Sequence, residues 1–224
     1  ICPVVSWGTE SGDHRWSWLP ATESSGSQLI FDGDSWPVPL PGRHNAANLC
    51  AAILACRGLG VPDETLKKSI LSFSASQHRG SVVNWSGRVV LDDSYNANPA
   101  SMLAAVRALL SMPRTGKTIA VLGAMAELGP DFKNIHLQTG QDLGREKLDF
   151  LLAVGETAWS LVEKDEGNFQ AVKVSDQGEA AQWLRKNSSI GDHILIKGSR
   201  SSAMEKVLQI LLADEENLDK ETEK

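Results

Sequence analysis

Strand-like and helix-like segments alternate five times between residues 88 and 212, and this alternation constrains the fold more than any other feature of the chain. The strand candidates are residues 88–92, 118–123, 149–154, 170–174 and 192–197. The helix candidates that follow them are residues 99–112, 134–146, 156–164, 176–187 and 201–212. Repeated strand-helix units form parallel strands joined by right-handed crossovers. The sequence therefore predicts an α/β fold whose second half is a Rossmann-like parallel sheet.

The first part of the chain is organised differently. Apolar runs at Gln28 to Phe31 and Trp36 to Leu40 are separated by turn residues, which predicts β-hairpins. Helices are predicted over residues 45–57 and 62–73. We expect a domain boundary near residue 80, with residues 1–80 forming one domain and residues 81–224 the other. From about residue 213 the chain is charged and lacks apolar periodicity, which predicts a disordered acidic tail.

Composition narrows the class of protein. The chain has 224 residues and a net charge of −6, which gives no indication of nucleic-acid binding. No stretch approaches the roughly 20 apolar residues of a membrane span. The three cysteines are odd in number and lack metal-site spacing, which favours a reduced intracellular compartment. Because the first residue is Ile1, within a strand-like segment, we expect the chain to start partway through a domain.

The segment Asp92 to Pro99, with the sequence DDSYNANP, gathers two carboxylates, a hydroxyl, a phenol and two amides where a predicted strand ends. Asn98 suits a helix N-cap and Pro99 a first helical residue. In open α/β sheets, ligands bind at the carboxyl ends of the strands. Each buried polar group without a partner costs about 1–3 kcal/mol, so packing of a hydrophobic core does not explain this set of polar residues. The segment therefore predicts a ligand site.

Three other polar segments allow two interpretations each. Asn45 and Asn48 share a helix face, where they either read an adenine edge or Asn45 simply caps the helix. Arg79, near the predicted boundary, suits either a phosphate or a salt bridge at the junction. Lys197 and Arg200 lie between the last strand and the last helix, where they form either an anion site or a basic loop without a ligand.

Two features favour structural interpretations. Gly116-Lys117-Thr118 resembles the end of a phosphate-binding P-loop, but residue 111 is serine where glycine is needed, and the segment precedes a strand rather than a helix. We interpret it as a solvated loop. His136 follows the segment Ala124 to Gly129 and is either a base or a satisfied helix residue; a lone histidine favours the second.

In their order along the chain, Leu40 to Asn48, DDSYNANP, AELG and KGSRS resemble the Mur ligase family, over about Val4 to Leu212. Within that family the resemblance is to the branch that joins D-alanyl-D-alanine to UDP-N-acetylmuramoyl-tripeptide in peptidoglycan precursor synthesis. It implies that residues 1–80 are the end of a central ATP-binding domain and residues 81–224 the Rossmann-like C-terminal domain. It further implies ATP and Mg²⁺ as cofactors, the UDP-sugar tripeptide and the dipeptide as partners, a monomer, and a cytoplasmic or plastid stromal location.

The resemblance also assigns roles to individual residues. Four are assigned to nucleotide binding, with the two asparagines at adenine and the aspartate at the ribose hydroxyls: Asn45, Asn48, Arg79 and Asp93. Three are assigned to the side of the amino substrate: Asn96, Lys197 and Arg200. A carboxylate suits ribose hydroxyls because it only accepts hydrogen bonds.

The chain departs from the family pattern in lacking the P-loop, its lysine, and the acidic and histidine residues that help hold Mg²⁺. The resemblance therefore assigns it no catalytic residue and no metal ligand, and we expect the chain alone to lack ligase activity and to belong to a longer enzyme. Two alternatives remain: a ligase of the MurE or folylpolyglutamate synthase type, and a non-catalytic nucleotide-binding or interaction module. DDSYNANP favours the D-alanyl-D-alanine branch, because the other ligases typically carry DYAHNP- or DGAHNP-like versions.

Overall fold

A computed structural model of the chain describes residues 5–164 and 167–222, and side chains through residue 215. The chain divides into two compact units. The first comprises residues 1–75 and 111–113, and the second comprises residues 76–110 and 114–224. The boundary expected near residue 80 lies close to this division.

The first unit contains a small four-stranded sheet. Its strands are β1 (Trp7–Gly8), β2 (His14–Leu19), β3 (Gln28–Phe31) and β4 (Asp34–Pro37). Strands β2, β3 and β4 pair antiparallel, as the hairpin prediction required, whereas β1 pairs parallel with β2. The β3–β4 turn is Asp32-Gly33, and both residues have positive φ. That conformation matches the twist of a two-residue hairpin, and aspartate followed by glycine adopts it readily.

Two helices, α1 (Arg43–Gly58) and α2 (Asp63–Leu71), complete the first unit. Arg57, in the last turn of α1, donates from Nε and from a terminal nitrogen to the two carboxylate oxygens of Asp63, at 2.9 and 2.7 Å. This forked pair ties the two helices together. Cys50 is buried in the core of the unit, and that burial raises the pKa of its thiol to about 11, so the group is an inert core residue.

The second unit is built on a six-stranded sheet. Its strands are β5 (Ser81–Trp85), β6 (Arg88–Asp93), β7 (Thr118–Leu122), β8 (Phe150–Val154), β9 (Gln170–Val174) and β10 (His193–Lys197). Their order is β5-β6-β10-β7-β8-β9, and every pair is parallel except β5–β6. The predicted α/β fold with a parallel sheet is confirmed. The antiparallel edge strand β5 was not predicted, although the tight Ser86-Gly87 turn, with both φ values positive, is a hairpin signal.

Helices cover both faces of this sheet. They are α3 (Pro99–Ser111), α4 (Phe132–Leu143), α5 (Gln177–Asn187) and α6 (Glu205–Thr222). The predicted helix over residues 156–164 is instead a 3₁₀ segment, Glu156–Val162. One apolar cluster packs α3, α4 and the 3₁₀ segment on one face, and another packs α5 and α6 on the opposite face. Strands β7 and β10 are buried at every position, as expected for central parallel strands covered on both sides.

The prediction of a disordered tail from about residue 213 is wrong for the part of the chain that the structure describes. Helix α6 continues through Thr222. The segment has no glycine or proline, and its several glutamates are good helix formers. Asp214 also pairs with Arg185 of α5, which adds a tertiary contact beyond the predicted end of the helix. None of the described helices is long and apolar enough to span a bilayer.

Candidate functional site

Adjacent strands bring two of the predicted site residues together at the carboxyl edge of the sheet. Strands β6 and β10 pair in parallel with Lys197 in register with Asp93. The Lys197 ammonium donates to Asp93 Oδ2 at 2.5 Å and to the carbonyl oxygen of Asn96 at 2.8 Å. The side chain of Lys197 is 2% exposed, and that of Asp93 is 26% exposed. Lys197 is thus an internal cation that fixes the DDSYNANP loop, and its contact with a substrate stays a prediction.

The other carboxylate of the loop, Asp92, is buried and fully engaged. Its Oδ1 accepts the Ser94 hydroxyl at 2.6 Å and the Ser94 amide at 3.2 Å. Its Oδ2 lies 2.8 Å from Nδ1 of His78. The backbone continues this connection, because the Tyr95 amide donates to the His78 carbonyl and the Gly80 amide to the Asp92 carbonyl, both at 2.9 Å. The segment that carries Arg79 is therefore attached to the DDSYNANP loop.

Two predicted arginines converge on a tyrosine that the sequence reasoning did not assign. The guanidinium carbon of Arg79 lies 3.7 Å from the centroid of the Tyr95 ring, and that of Arg200 lies 5.6 Å from it. The tyrosine is 41% exposed, and both arginines are exposed. Among residues 5–164 and 167–215, neither arginine forms an ion pair with a carboxylate. The salt-bridge interpretation of Arg79 thus finds no acidic partner in the described structure.

The loops that follow β7 and β10 are joined by hydrogen bonds. The Gly123 amide donates to the Lys197 carbonyl at 2.8 Å, and the Ser199 amide donates to the Ala124 carbonyl at 2.9 Å. Tight packing explains the glycine in KGSRS, because a Cβ atom on Gly198 would lie 2.5 Å from Cγ of Met204 and 3.3 Å from Cα of Gly123. The backbone that presents Arg200 is therefore held tightly.

His136 is a satisfied buried residue, as the structural interpretation predicted. Its Nδ1 lies 2.7 Å from the carbonyl oxygen of Phe132, and its Nε2 accepts the Met125 amide at 2.9 Å. These bonds require the neutral tautomer with the proton on Nδ1. The side chain is 0% exposed, so it anchors the loop after β7 and is not accessible as a base. Glu127, in the same loop, has a φ of 60°, an unusual value for a residue other than glycine.

A cleft of about 330 Å³ lies along the carboxyl ends of β7 to β10, beside these loops. Its lining mixes polar and apolar residues, and it includes polar residues that were not predicted as part of a site. The polar members are Glu156, Thr157, Ser175, Asp176, Gln177, Ser201 and Ser202. A sequence signal existed, since each follows a predicted strand, but the strand order that brings them together was not available from the sequence.

In the first unit, Asn45 and Asn48 line a largely apolar cavity of about 360 Å³ between α1 and α2. Helix α1 is capped at Gly42 without a side-chain hydrogen bond, so Asn45 is not its N-cap. Instead, the Asn45 side-chain amide donates to the Pro41 carbonyl at 2.8 Å. Asn48 is exposed at the cavity. An apolar cavity with two amides suits a flat heteroaromatic ring, and the adenine role of both residues stays a prediction.

The described residues contain no group of three or more histidine, cysteine or acidic side chains placed to hold a metal ion. Asp92 and Asp93 are instead paired with His78 and Lys197. The donor set described here therefore does not by itself fit a divalent cation, and we assign no metal ligand to this chain.

Comparison with protein-family models gives a match to the Mur ligase glutamate ligase domain over residues 78–200. The matched region begins at His78 and ends at Arg200, so it contains the whole of the arginine and tyrosine cluster.

Two curated relatives are UDP-N-acetylmuramoyl-tripeptide–D-alanyl-D-alanine ligases. The Bacillus subtilis enzyme is 29% identical over 219 residues, which cover 94% of this chain and 48% of that protein. The Escherichia coli enzyme is 35% identical over 176 residues, which cover 78% of this chain and 38% of that protein. The chain thus spans about half or less of the length of these relatives.

Solved structures give the same picture. MurF from Acinetobacter baumannii superposes with a TM-score of 0.79 at 30% identity, covering 93% of this chain and 46% of that one. MurF from Thermotoga maritima in complex with ADP superposes with a TM-score of 0.76 at 26% identity, covering 92% of this chain and 48% of that one.

Proposed function

The chain belongs to the Mur ligase family, and we propose that it forms the carboxyl-terminal portion of an ATP-dependent amide ligase. The proposed reaction joins D-alanyl-D-alanine to UDP-N-acetylmuramoyl-tripeptide, a step of peptidoglycan precursor synthesis. The names of the curated relatives support this choice over a MurE or folylpolyglutamate synthase type of ligase. The substrates are a nucleotide sugar and ATP, so we place the enzyme in the cytoplasm or, in a photosynthetic host, in the plastid stroma.

One observation carries the proposal. Loops that are about 100 residues apart in the chain meet at the carboxyl edge of the sheet, and they bring together residues assigned to the nucleotide and to the amino substrate. Asp93 and Asn96 are both bound by Lys197, and Arg79 and Arg200 both contact Tyr95. A site for two substrates needs both sets of groups at one edge, which is where ligands of open α/β sheets bind.

The chemistry explains why such an enzyme needs this arrangement. A carboxylate is a poor electrophile, so one of its oxygens first attacks the γ-phosphorus of ATP, which gives an acyl phosphate and ADP. The dipeptide amine then attacks the acyl carbon, phosphate leaves with the electrons of the carbon–oxygen bond, and the nitrogen releases a proton. Binding both reactants in position supplies much of the rate enhancement. Mg²⁺ would neutralise charge on the phosphates, through ligands that we do not assign to this chain.

Within this reaction the residues of the chain have binding and orienting roles. The carboxylate of Asp93 is suited to accept from ribose hydroxyls, and the amides of Asn45 and Asn48 to read an adenine edge. The exposed guanidinium groups of Arg79 and Arg200 are suited to oxyanions of either substrate. Asn96 and Lys197 support the amino-substrate side, Lys197 through its hold on the loop.

A chimeric enzyme tests the proposal. The matching portion of the Bacillus subtilis ligase is replaced by this chain, and phosphate release is measured with ATP, UDP-N-acetylmuramoyl-tripeptide and D-alanyl-D-alanine. We expect turnover that depends on all three substrates and is not supported by meso-diaminopimelate or glutamate in place of the dipeptide. The isolated 224-residue chain is expected to give no turnover.

The other outcomes are equally informative. Turnover by the isolated chain would contradict the need for further segments. A folded chimera that binds ADP but releases no phosphate would favour the non-catalytic module, and one that prefers another amine would favour a different ligase of the family. Folding of the chimera is checked by circular dichroism before activity is compared.

A further inference from the structure

We propose that Arg79, Tyr95 and Arg200 form one composite oxyanion-binding site in which Tyr95 is a positioning residue for both guanidinium groups. The family resemblance treats the two arginines separately and gives the tyrosine no role. The inference rests on the proposed function only for the identity of the oxyanion, which is a phosphate group of the nucleotide or the carboxylate of the dipeptide.

The contacts of Tyr95 carry the inference. Its ring centroid lies 3.7 Å from the guanidinium carbon of Arg79 and 5.6 Å from that of Arg200. Both distances are within the range of attraction between a cation and the face of an aromatic ring. Because two guanidinium groups repel each other, an aromatic ring that attracts both keeps them near one point. Each would otherwise sample many rotamers at an exposed position.

The backbone beneath the ring is fixed from two sides. The Tyr95 amide donates to the carbonyl oxygen of His78, the residue before Arg79. The buried ammonium of Lys197 binds Asp93 and the carbonyl of Asn96, which bracket the tyrosine in sequence. One connection leads to the segment of Arg79, and the other leads to β10, which ends at Lys197 shortly before Arg200. Tyr95 therefore stands at the point where the two arginine-bearing segments join.

The charges at this point favour an anionic ligand. Asp92 is paired with His78, and Asp93 is paired with Lys197, so neither carboxylate is left to neutralise the arginines. Among residues 5–164 and 167–215 the two guanidinium groups have no carboxylate partner, and they face solvent at the carboxyl edge of the sheet. A phosphate or carboxylate between them would accept charge-assisted hydrogen bonds from both.

The sequence provides a direct probe, because Tyr95 is the only tyrosine of the chain. Labelling the protein with ring-¹³C tyrosine gives NMR signals from this one ring. Two titrations at constant ionic strength distinguish the sources of the oxyanion, one with inorganic pyrophosphate and one with D-alanyl-D-alanine. We expect a saturable shift of the ring signals in at least one titration. Absence of a saturable shift in both would overturn the proposal.

Variants separate positioning from simple charge, with affinity for the active anion measured by calorimetry. Arg79→Gln and Arg200→Gln should each weaken binding about five- to tenfold, since each removes one charge-assisted partner. Tyr95→Phe keeps the ring and should bind within about twofold of the wild type, whereas Tyr95→Leu should lose about five- to tenfold. Arg107→Gln, which changes another exposed arginine of the same unit, is the matched control and should leave affinity unchanged.

Several results would contradict the composite site. Equal binding by Tyr95→Leu and Tyr95→Phe would remove the positioning role, and a loss in only one arginine variant would reduce the site to a single contact. The failure of the proposed function is a separate result. If this chain binds the anion but the chimera is inactive, the composite site is supported and the proposed function is not. If the chimera is active and Tyr95→Leu does not change its activity, the proposed function is supported and the composite site is overturned.

Discussion

At the scale of single residues, Lys197 is a buried cation whose hydrogen-bond partners lie about 100 positions away in the sequence. The sequence left two interpretations of this lysine, as part of an anion site or as part of a basic loop without a ligand. In the structure its ammonium is 2% exposed and is bound to Asp93 and Asn96. A buried cation is tolerated only when it is paired and hydrogen-bonded. Lys197 is therefore needed for the shape of the site whether or not it touches a substrate.

The two members of this ion pair are expected to respond unequally to substitution. Asp93→Ala leaves a buried ammonium without its carboxylate and should lower the free energy of unfolding by about 3 kcal/mol. Lys197→Met leaves a carboxylate that is 26% exposed and can be hydrated, so it should cost only about 1 kcal/mol. Urea denaturation of the two variants and of the double variant measures both effects. The double variant should resemble Lys197→Met; strictly additive losses would contradict the pairing.

Because of His193, we expect the free energy of unfolding to decrease at acidic pH. It begins β10, is 4% exposed, and its Nδ1 has no hydrogen-bond partner in the described structure. Burial, with a contribution from Arg114, lowers its pKa from 6.5, while Asp192 acts in the opposite direction. The unfolded chain therefore binds a proton at a pH where the folded chain does not, and stability falls as the pH drops below about 6.5.

The measurement is the melting temperature of the wild type and of His193→Leu between pH 7.5 and pH 5.0. The melting temperature of the wild type should fall further over this range than that of the variant, because the variant has no group to protonate at that position. Parallel curves for the two proteins would exclude a contribution from His193.

At the scale of secondary structure, the sequence predicted most elements and missed those that depend on neighbours. The N-terminus of α3 was predicted correctly, since the Ser101 amide donates to Asn98 Oδ1 at 2.8 Å and Pro99 begins the helix. The local residues alone specify that cap. Strand β5 was missed, because an edge strand is stabilised by its pairing with β6 rather than by its own pattern. The 3₁₀ segment Glu156–Val162 likewise depends on its packing against α4.

Close packing between α4 and that 3₁₀ segment depends on a glycine. A Cβ atom on Gly140 would lie 1.9 Å from the carbonyl oxygen of Leu161, which is a backbone atom and cannot move aside cheaply. Gly140→Ala should therefore lower the free energy of unfolding by about 2 kcal/mol or more, through overpacking. Gly58→Ala, at the end of α1, is the control because no atom lies within 4 Å of the added Cβ. It should be neutral or slightly stabilising in the same urea titration.

At the scale of the whole molecule, the two units differ in the size of their cores. The first has one small cluster, built from the strands β2 to β4 and helix α1. The second has a cluster on each face of a six-stranded sheet. Because stability grows with the apolar surface that a unit buries, we expect the second unit to be the more stable.

Native-state hydrogen exchange tests this difference. Amide protons of β7 and β10, in the centre of the larger sheet, should exchange more slowly than those of β2 and β3 by about tenfold or more, which corresponds to an opening free energy larger by about 1.4 kcal/mol. Equal protection of the two sheets would show that the units open together.

The sequence by itself determined the α/β class, the positions of the five parallel strands, and the loops at their carboxyl ends that carry the site residues. These follow from local periodicity, turn residues and caps, which act over a few neighbouring positions. Only the tertiary structure decided that β10 lies between β6 and β7, that Lys197 is paired with Asp93, and that Arg79 and Arg200 meet on Tyr95. The contacts of Lys197 with Asp93 and of Arg200 with Tyr95 join residues about 100 positions apart, and the order of strands in a sheet is set by packing of the whole unit.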